Sequence, residues 1–400
     1  MKSKLLLAVL ALSIVFTACK KNKGEEPAQD PFKLGYSNLT VEEHKKELET
    51  SGLDFITKIN TLPEEKFIKV MKNLSNLNLE LESNNVNSLM AISKGASNKN
   101  LAAILETATE TQKLSDEYGI YTYNSTTQTW TKTASSNVLE LRFPALENGT
   151  VNNAILTMSY VSSNIITTAG EDSIELPKSA STILLVDGVE EIKFTSSHEY
   201  KVDGTPTKTD VNLRMGTFTF AFNVANNGSV LTNGFSLSKS NELLFGFNST
   251  VNGNTNWTNI NDSGDASDIV TNANASFEVM NIKFVGLLNV KGLMDAEASI
   301  DSTANDQVIN NKKVEALNAN SKFVVINKTN NTIIAKTEFV AVSDENCYTN
   351  YYNNQQICYT EHEAETRLIF KDGSKLSFEA FKETGFAKLI DEIETYSDKF

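Results

Sequence analysis

Between residues 37 and 115 apolar side chains recur every three or four positions, and from Gly119 onward they alternate, so the chain passes from a helical to a strand period. In "NLTVEEHKKELETSGLDFITKINTLP", Thr40 and Glu43 stand at capping-box spacing, Leu48, Ile56 and Ile59 form the apolar stripe, and Pro63 marks the end. Gly52 suggests two shorter helices within it. "PEEKFIKVMKNLSNL" places Phe67, Val70, Met71, Leu74 and Leu77 at helical spacing, and "NLAAILETATETQKLSDEYG" reads as a third helix that stops at Gly119. Stripes of this kind are what core packing requires.

The alternating region opens with "GIYTYNSTTQTWTKT", a hairpin carrying Tyr121, Tyr123 and Trp130, followed by "VLELRFP" and "NAILTMSYV". Turn signals at Asp187-Gly188, Asp203-Gly204, Asn227-Gly228 and Asn252-Gly253 then predict long antiparallel strands. Val211, Leu213 and Met215 alternate on odd numbers, whereas Phe218, Phe220 and Phe222 alternate on even ones. A one-residue offset flips the buried face, so a turn or bulge is expected at Gly216 or Thr217. Strand-like stretches continue through "FEVMNIKFVGLLNVKG", "FVVINKTNNTIIAKTEFVAV" and "TRLIFKDGSKLSFEAF", interrupted by a helix near 304–319. A closing helix carries Phe386, Leu389, Ile390 and Ile393. The expected fold class is α+β: a large twisted antiparallel sheet packed with N-terminal and C-terminal helices. Residues 37–115 are its helical segment, 116–382 the β-rich region and 383–400 the C-terminal helix, together one compound domain.

The first 36 residues follow neither pattern. Lys2 and Lys4 precede an apolar run from Leu5 to Phe16, then Thr17, Ala18 and Cys19, so residues 1–18 read as a secretory signal too short to span a bilayer. Phe16 is large where an ordinary signal-peptidase site wants a small residue. "VFTAC" resembles the bacterial lipobox, whose cysteine takes a diacylglycerol and becomes the first residue after cleavage. Ala18 and Cys19 match, while Phe16 and Thr17 fit the looser forms of the Bacteroidota. Each buried methylene contributes about 0.8 kcal/mol, so several acyl chains on Cys19 would hold firmly. Residues 19–36, with Pro27 and Pro31, read as a flexible tether. The expectation is an outer-membrane lipoprotein facing the periplasm or the cell surface. A surface-export signal is matched only in part, because Glu25 and Glu26 come after Lys20, Lys21 and Lys23.

Assigning Cys19 to lipid leaves Cys347 and Cys358, which bracket the polar "CYTNYYNNQQIC" and are expected to staple it in an oxidising compartment. Two free thiols are the alternative; zinc is disfavoured because no histidine or second cysteine pair stands at ligand spacing. Loss of Lys2 and Lys4 takes the net charge from −14 to −16. That acidity argues against nucleic-acid partners. "GIYTYNSTTQTW", "ELRFPALENGTVNNAILT", "ILLVDGVEEIKF" and "LIFKDGSKLSFEAFKETGFAKLIDEIE", in this order behind a lipobox, resemble a group of Bacteroidota cell-envelope lipoproteins. The resemblance covers most of the chain, and it brings no catalytic residues with it.

Little in the chain points to catalysis. "HEYKV" at His198 and "HEAET" at His362 lack the second histidine that makes a helical zinc chelator, and His44 stands alone. In a strand, Glu361, Glu363 and Glu365 would line one face and His362 the other. "NDSGDASD" offers Asp262, Asp265 and Asp268, a plain acidic loop or a calcium site, though without EF-hand spacing. No nucleophile elbow, phosphate loop or dinucleotide fingerprint occurs, so no catalytic residue, metal or cofactor is expected. Phe218, Phe220 and Phe222 are the candidate apolar ligand face, with packing against the helices as the other reading. The stapled loop adds Tyr348, Tyr351 and Tyr352. The expected function is non-enzymatic binding of a lipid, glycan or protein; the alternatives are a hydrolase with paired carboxylates and a purely structural envelope protein.

Overall fold

In chain order the strands are β1 (Gly119–Asn124), β2 (Thr129–Thr133), β3 (Leu139–Phe143), β4 (Ala154–Ala169), β5 (Asp172–Val186), β6 (Val189–Tyr200), β7 (Pro206–Met215) and β8 (Phe218–Asn226). Then come β9 (Val230–Lys239), β10 (Glu242–Gly253), β11 (Val270–Val279), β12 (Ile282–Asn289), β13 (Ser321–Asn327), β14 (Thr332–Thr349), β15 (Gln356–Ile369) and β16 (Lys375–Ser377). The computed structural model describes residues 30–79, 117–169, 172–256, 269–349, 355–383, 385–386 and 388–392. The sixteen strands of the described residues belong to one sheet, in which β3 to β16 follow one another as an antiparallel meander. β1 lies parallel to β3, and β2 forms the edge beyond it. This parallel pair departs from the purely antiparallel expectation: the link after the β1–β2 hairpin returns the chain to the far side of β1.

Glycine signals predict most turns, with instructive exceptions. Gly216 has φ +58° and closes a two-residue turn with Met215 opposite Phe218, which is why the apolar parity changes there. Asn252-Gly253, expected as a turn, instead lies at the end of β10, where Gly253 marks a register shift against β11. The neighbouring turns occur at Ser240-Asn241, with φ of 49° and 69°, and at Met280-Asn281. Ladder pairing of long strands holds Ser240 and Met280 in left-handed conformations that their own preferences disfavour, while Asn241 accepts it readily.

Two helices cross the sheet. α1 (Val41–Ile59) starts from the predicted capping box, with Thr40 accepting from the Glu43 N–H and Glu43 Oε2 accepting from the Thr40 N–H at 2.8 Å. It runs unbroken through Gly52, contrary to the expected pair of helices. Leu389 packs closely over it, and a Cβ there would meet the ends of that side chain at 2.6 Å. α2 (Lys66–Ser75) follows after a short 3-10 turn at Pro63.

Together the helices visit the turns at one end of the sheet in reverse order. Ser51 bonds Asn281, Lys58 pairs with Glu242 at 2.6 Å, Lys239 bonds Thr61 and Glu65 bonds Thr217. Lys66 then approaches Glu191 at 3.5 Å, Asn73 Nδ2 donates to the Pro144 carbonyl at 2.7 Å and Trp130 Nε1 donates to the Leu77 carbonyl at 2.8 Å. Beneath this rod Phe67, Val70, Met71 and Leu74 meet Leu139, Phe143, Leu156, Leu184, Met215 and Phe218 in the main core. A second cluster joins Ile282, Val325, Ala335, Leu368, Phe370 and Phe381 to Val41, Leu48 and Phe386.

Between β12 and β13 come α3 (Val290–Ala298) and α4 (Asp306–Asn320). α4 matches the predicted helix, whereas α3 was expected as the end of a strand stretch; the Asn289 side chain caps it by accepting from the Gly292 N–H. α5 (Phe378–Lys382) also begins inside predicted strand, capped by Ser377. Gly385, at φ +94°, separates it from helical residues 388–392, so the closing helix is not continuous from 383.

Residues 30–36, expected as the end of the tether, are packed. Leu34 is buried against Val324, Ile326 and Ile333, and Tyr36 bridges to Ile333, so residues 30–36 belong to the folded body. Cys19, the third predicted helix, Asp262, Asp265, Tyr351, Tyr352 and Ile393 lie outside the described residues, as does Asp268. Among the described residues no helix is long and apolar enough to cross a membrane.

Candidate ligand-binding site

Cross-strand register sorts the side chains onto two faces. Leu213, Phe220, Leu237 and Phe245 pair in series, as do Val211, Phe222, Phe235, Phe247, Phe277, Phe284 and Val325. This is the face that the helices cover. Phe218 and Phe220 are buried in the main core, and Phe222 is half-buried opposite Val211 and Phe235. Two of the three predicted phenylalanines therefore pack against the helices.

The parity pattern of β7 and β8 does not reveal that the aromatic row continues. Ring centroids step from Phe220 to Phe235 at 6.5 Å, to Phe245 at 5.7 Å, to Phe277 at 5.0 Å and to Phe284 at 5.7 Å. Phe323 and Phe339 form a separate pair at 6.3 Å on the same face, with the Phe323 ring over Gly286, where a Cβ would meet it at 2.8 Å. Tilted and edge-on arrangements at these distances are the favoured ones. The row passes from the core to partial exposure, reaching 37% at Phe284, and Phe323 is 38% exposed. These phenylalanines sit on successive strands of the meander, so it is the register that assembles them.

The opposite face is apolar under Leu34, at Val285, Val324 and Ile333, but largely polar over β7 to β10. A cavity of about 990 Å³ is bordered by Asn212, Ala221, Asn223, Ser236, Gly246 and Asn248. The nearby charges are paired within the protein: Lys208 with Asp210 at 2.7 Å, and Glu278 with Lys283 at 2.9 Å and Lys328 at 2.6 Å. Burial opposes the Glu278 charge, but its two lysines hold the carboxyl below its usual range.

The histidines are separated. His44 is buried in α1, 3.6 Å from Glu47. His198 lies in β6 between Thr209 Oγ1 at 3.1 Å and Ser196 Oγ at 3.0 Å, and stacks on Tyr200. His362 lies in β15, with Nδ1 2.6 Å from Ser343 Oγ. Burial pushes both His44 and His198 below their ordinary value of 6.5, against the partial opposition of Glu47 and Asp210 respectively. As pH drops through 6.5 the unfolded chain therefore takes up protons first, and stability falls. We expect a lower Tm at about pH 5 than at about pH 7.5, with a smaller difference in a His44→Gln/His198→Gln variant; thermal melts at both pH values test this.

The predicted cysteine pair is bonded, Cys347 directly opposite Cys358 with a Cα separation of 4.0 Å. It staples the outer part of a β14–β15 ribbon. At the ribbon's base the Asn318 amide takes a strand's place: its Oδ1 accepts from the Phe339 N–H at 2.8 Å and its Nδ2 donates to the Phe339 carbonyl at 2.7 Å. With Phe339 bonded outward, the even spacing to Cys347 makes the cysteines a non-hydrogen-bonded pair, the position where facing side chains approach most closely.

No protein-family model matches the chain, and no curated protein does. Among solved structures it aligns with a porin-like protein from Bacteroides vulgatus, at 9% identity and a TM-score of 0.12, over 56% of this chain and 80% of that one. A score this low assigns no fold.

Proposed function

We propose that this chain is a non-enzymatic binding protein of the cell envelope, tethered to the outer membrane by lipid on Cys19, which holds an apolar ligand against the aromatic row of its sheet. The observation that carries this reading is the row itself: a line of phenylalanines runs from the helix-covered core to the partly exposed Phe284, with the partly exposed Phe323 on the same face of the next strand. Apolar sites with few polar groups suit acyl chains or sterols. A hydrolase is less well supported. The described carboxyls with displaced acidity, such as Glu190 beside Arg214 and Glu278 between its lysines, are displaced downward, whereas a general acid needs the reverse.

Native mass spectrometry of residues 20–400, exported to a bacterial periplasm behind a cleavable signal, tests the carriage. One lipid-sized adduct per chain, extractable into solvent and lost in Phe284→Ser/Phe323→Ser, is expected. A protein that emerges empty under gentle ionisation would sink it. Fatty-acid labelling of the full chain, abolished by Cys19→Ser, tests the anchor separately.

A further inference from the structure

Beyond Phe339 the β14–β15 ribbon leaves the sheet. β13 pairs with β14 as far as Lys336, and β16 pairs with β15 only from Arg367 to Ile369. Contacts from α4 reach Glu363, whose carbonyl accepts from Asn310 Nδ2 at 2.9 Å. Outward from there, residues 343–349 and 355–361 are exposed throughout. The part beyond Phe339 spans ten residues of β14, roughly 30 Å at strand rise.

A two-stranded ribbon alone is marginal in water. This one is stapled near its tip, although it buries nothing of the core, so the staple serves the ribbon's own shape. Register then shows what the ribbon presents. On the face opposite the disulfide, Tyr348 faces Ile357, Asn346 faces Tyr359, Asp344 faces Glu361 and Val342 faces Glu363. Next to the disulfide this face is apolar and aromatic, with Tyr348 at 54% and Tyr359 at 51% exposure and their rings edge-on at 6.4 Å. Behind it lie opposed acids, a pairing that destabilises a ladder. Residues 341–366 contain five carboxylates and neither lysine nor arginine. Glu365 is paired with Arg367 at 2.7 Å, but among the described residues no ion pair engages Asp344, Glu345, Glu361 or Glu363.

We propose that this stapled ribbon is a docking arm for a basic protein surface, which receives Tyr348, Ile357 and Tyr359 and neutralises Asp344, Glu361 and Glu363. Charge complementarity selects the partner: an opposed acid pair that weakens the free ribbon is relieved when cations approach it. Tyrosines supply anchors of low entropy cost, and the disulfide removes ordering cost on binding. A bilayer is the poorer occupant, because anionic headgroups would meet the carboxylates. The proposal stands independently of the apolar ligand.

To test it, a photoreactive phenylalanine analogue replaces Tyr348 in the full-length chain in its own cells, and cross-linked peptides are mapped by mass spectrometry. The expected result is one protein, joined at a segment rich in lysine or arginine. That protein is then purified and titrated against the ectodomain. Binding should weaken at least tenfold in Glu361→Gln/Glu363→Gln and in Tyr348→Ser, weaken with added salt, and persist in Phe284→Ser. Cross-links only to lipid, to an acidic or neutral segment, or to nothing would overturn the proposal, as would unchanged affinity in the carboxylate variant. An intact disulfide mass in every variant excludes loss of the ribbon as the cause.

Discussion

The Phe67→Ala variant is expected to lose about 3–5 kcal/mol of unfolding free energy. Phe67 is fully buried in the first turn of α2, inside the cluster formed by Phe143, Leu156 and Phe218. The lost transfer energy is only part of the cost. Strands whose spacing is set by their ladders cannot close over the vacated volume, so a cavity remains. Helix and sheet are joined mainly through this cluster, and polar contacts such as Lys66 with Glu191 are half-exposed and weak. Guanidinium denaturation followed by circular dichroism measures the change, with Phe378→Ala, at 58% exposure, as a control near zero. A loss below about 1 kcal/mol at Phe67 would mean that α2 does not rest on this sheet.

Removal of the disulfide in Cys347→Ser/Cys358→Ser is expected to act locally. Its partners are 11 residues apart, and a loop of this size corresponds to about 3 kcal/mol in the chain-entropy model. Because the ribbon touches little else, the effect falls on its own opening rather than on global unfolding. Amide exchange in residues 343–349 and 355–361 should accelerate up to about 100-fold, the equivalent of nearly 3 kcal/mol, while α1 and β7 keep their protection. Hydrogen-exchange mass spectrometry resolves the segments. Unchanged exchange in the ribbon would deny the staple its role, and a collapse of protection throughout would show that the ribbon is coupled to the core.

The local devices were legible in the chain. Thr40 and Glu43 announced the start of α1, Met215 and Phe218 revealed a turn through their parity, and the cysteine count paired Cys347 with Cys358. Where a local signal competed with packing, it failed. Gly52 read as a break because glycine weakens an isolated helix, but in place Leu389 packs closely over it. Asn252-Gly253 read as a turn, yet strand pairing carries β10 through to Gly253.

The candidate binding faces divide in the same way. Phe218, Phe220 and Phe222 stood out because alternation within one strand is visible in the chain; that two of them are core follows only from the helices lying over them. Phe245, Phe277 and Phe284 become neighbours through register across strands, which no single segment encodes. The opposed acids of the ribbon arise likewise from the pairing of Asp344 with Glu361. What the sequence by itself determined was the period, capping, parity and covalent staple of each segment, because these depend on interactions between residues near one another along the chain. Only the tertiary structure decided which face is covered, where the aromatic row emerges and what the ribbon displays, because these depend on distant segments whose register is chosen by the burial and pairing of the whole sheet.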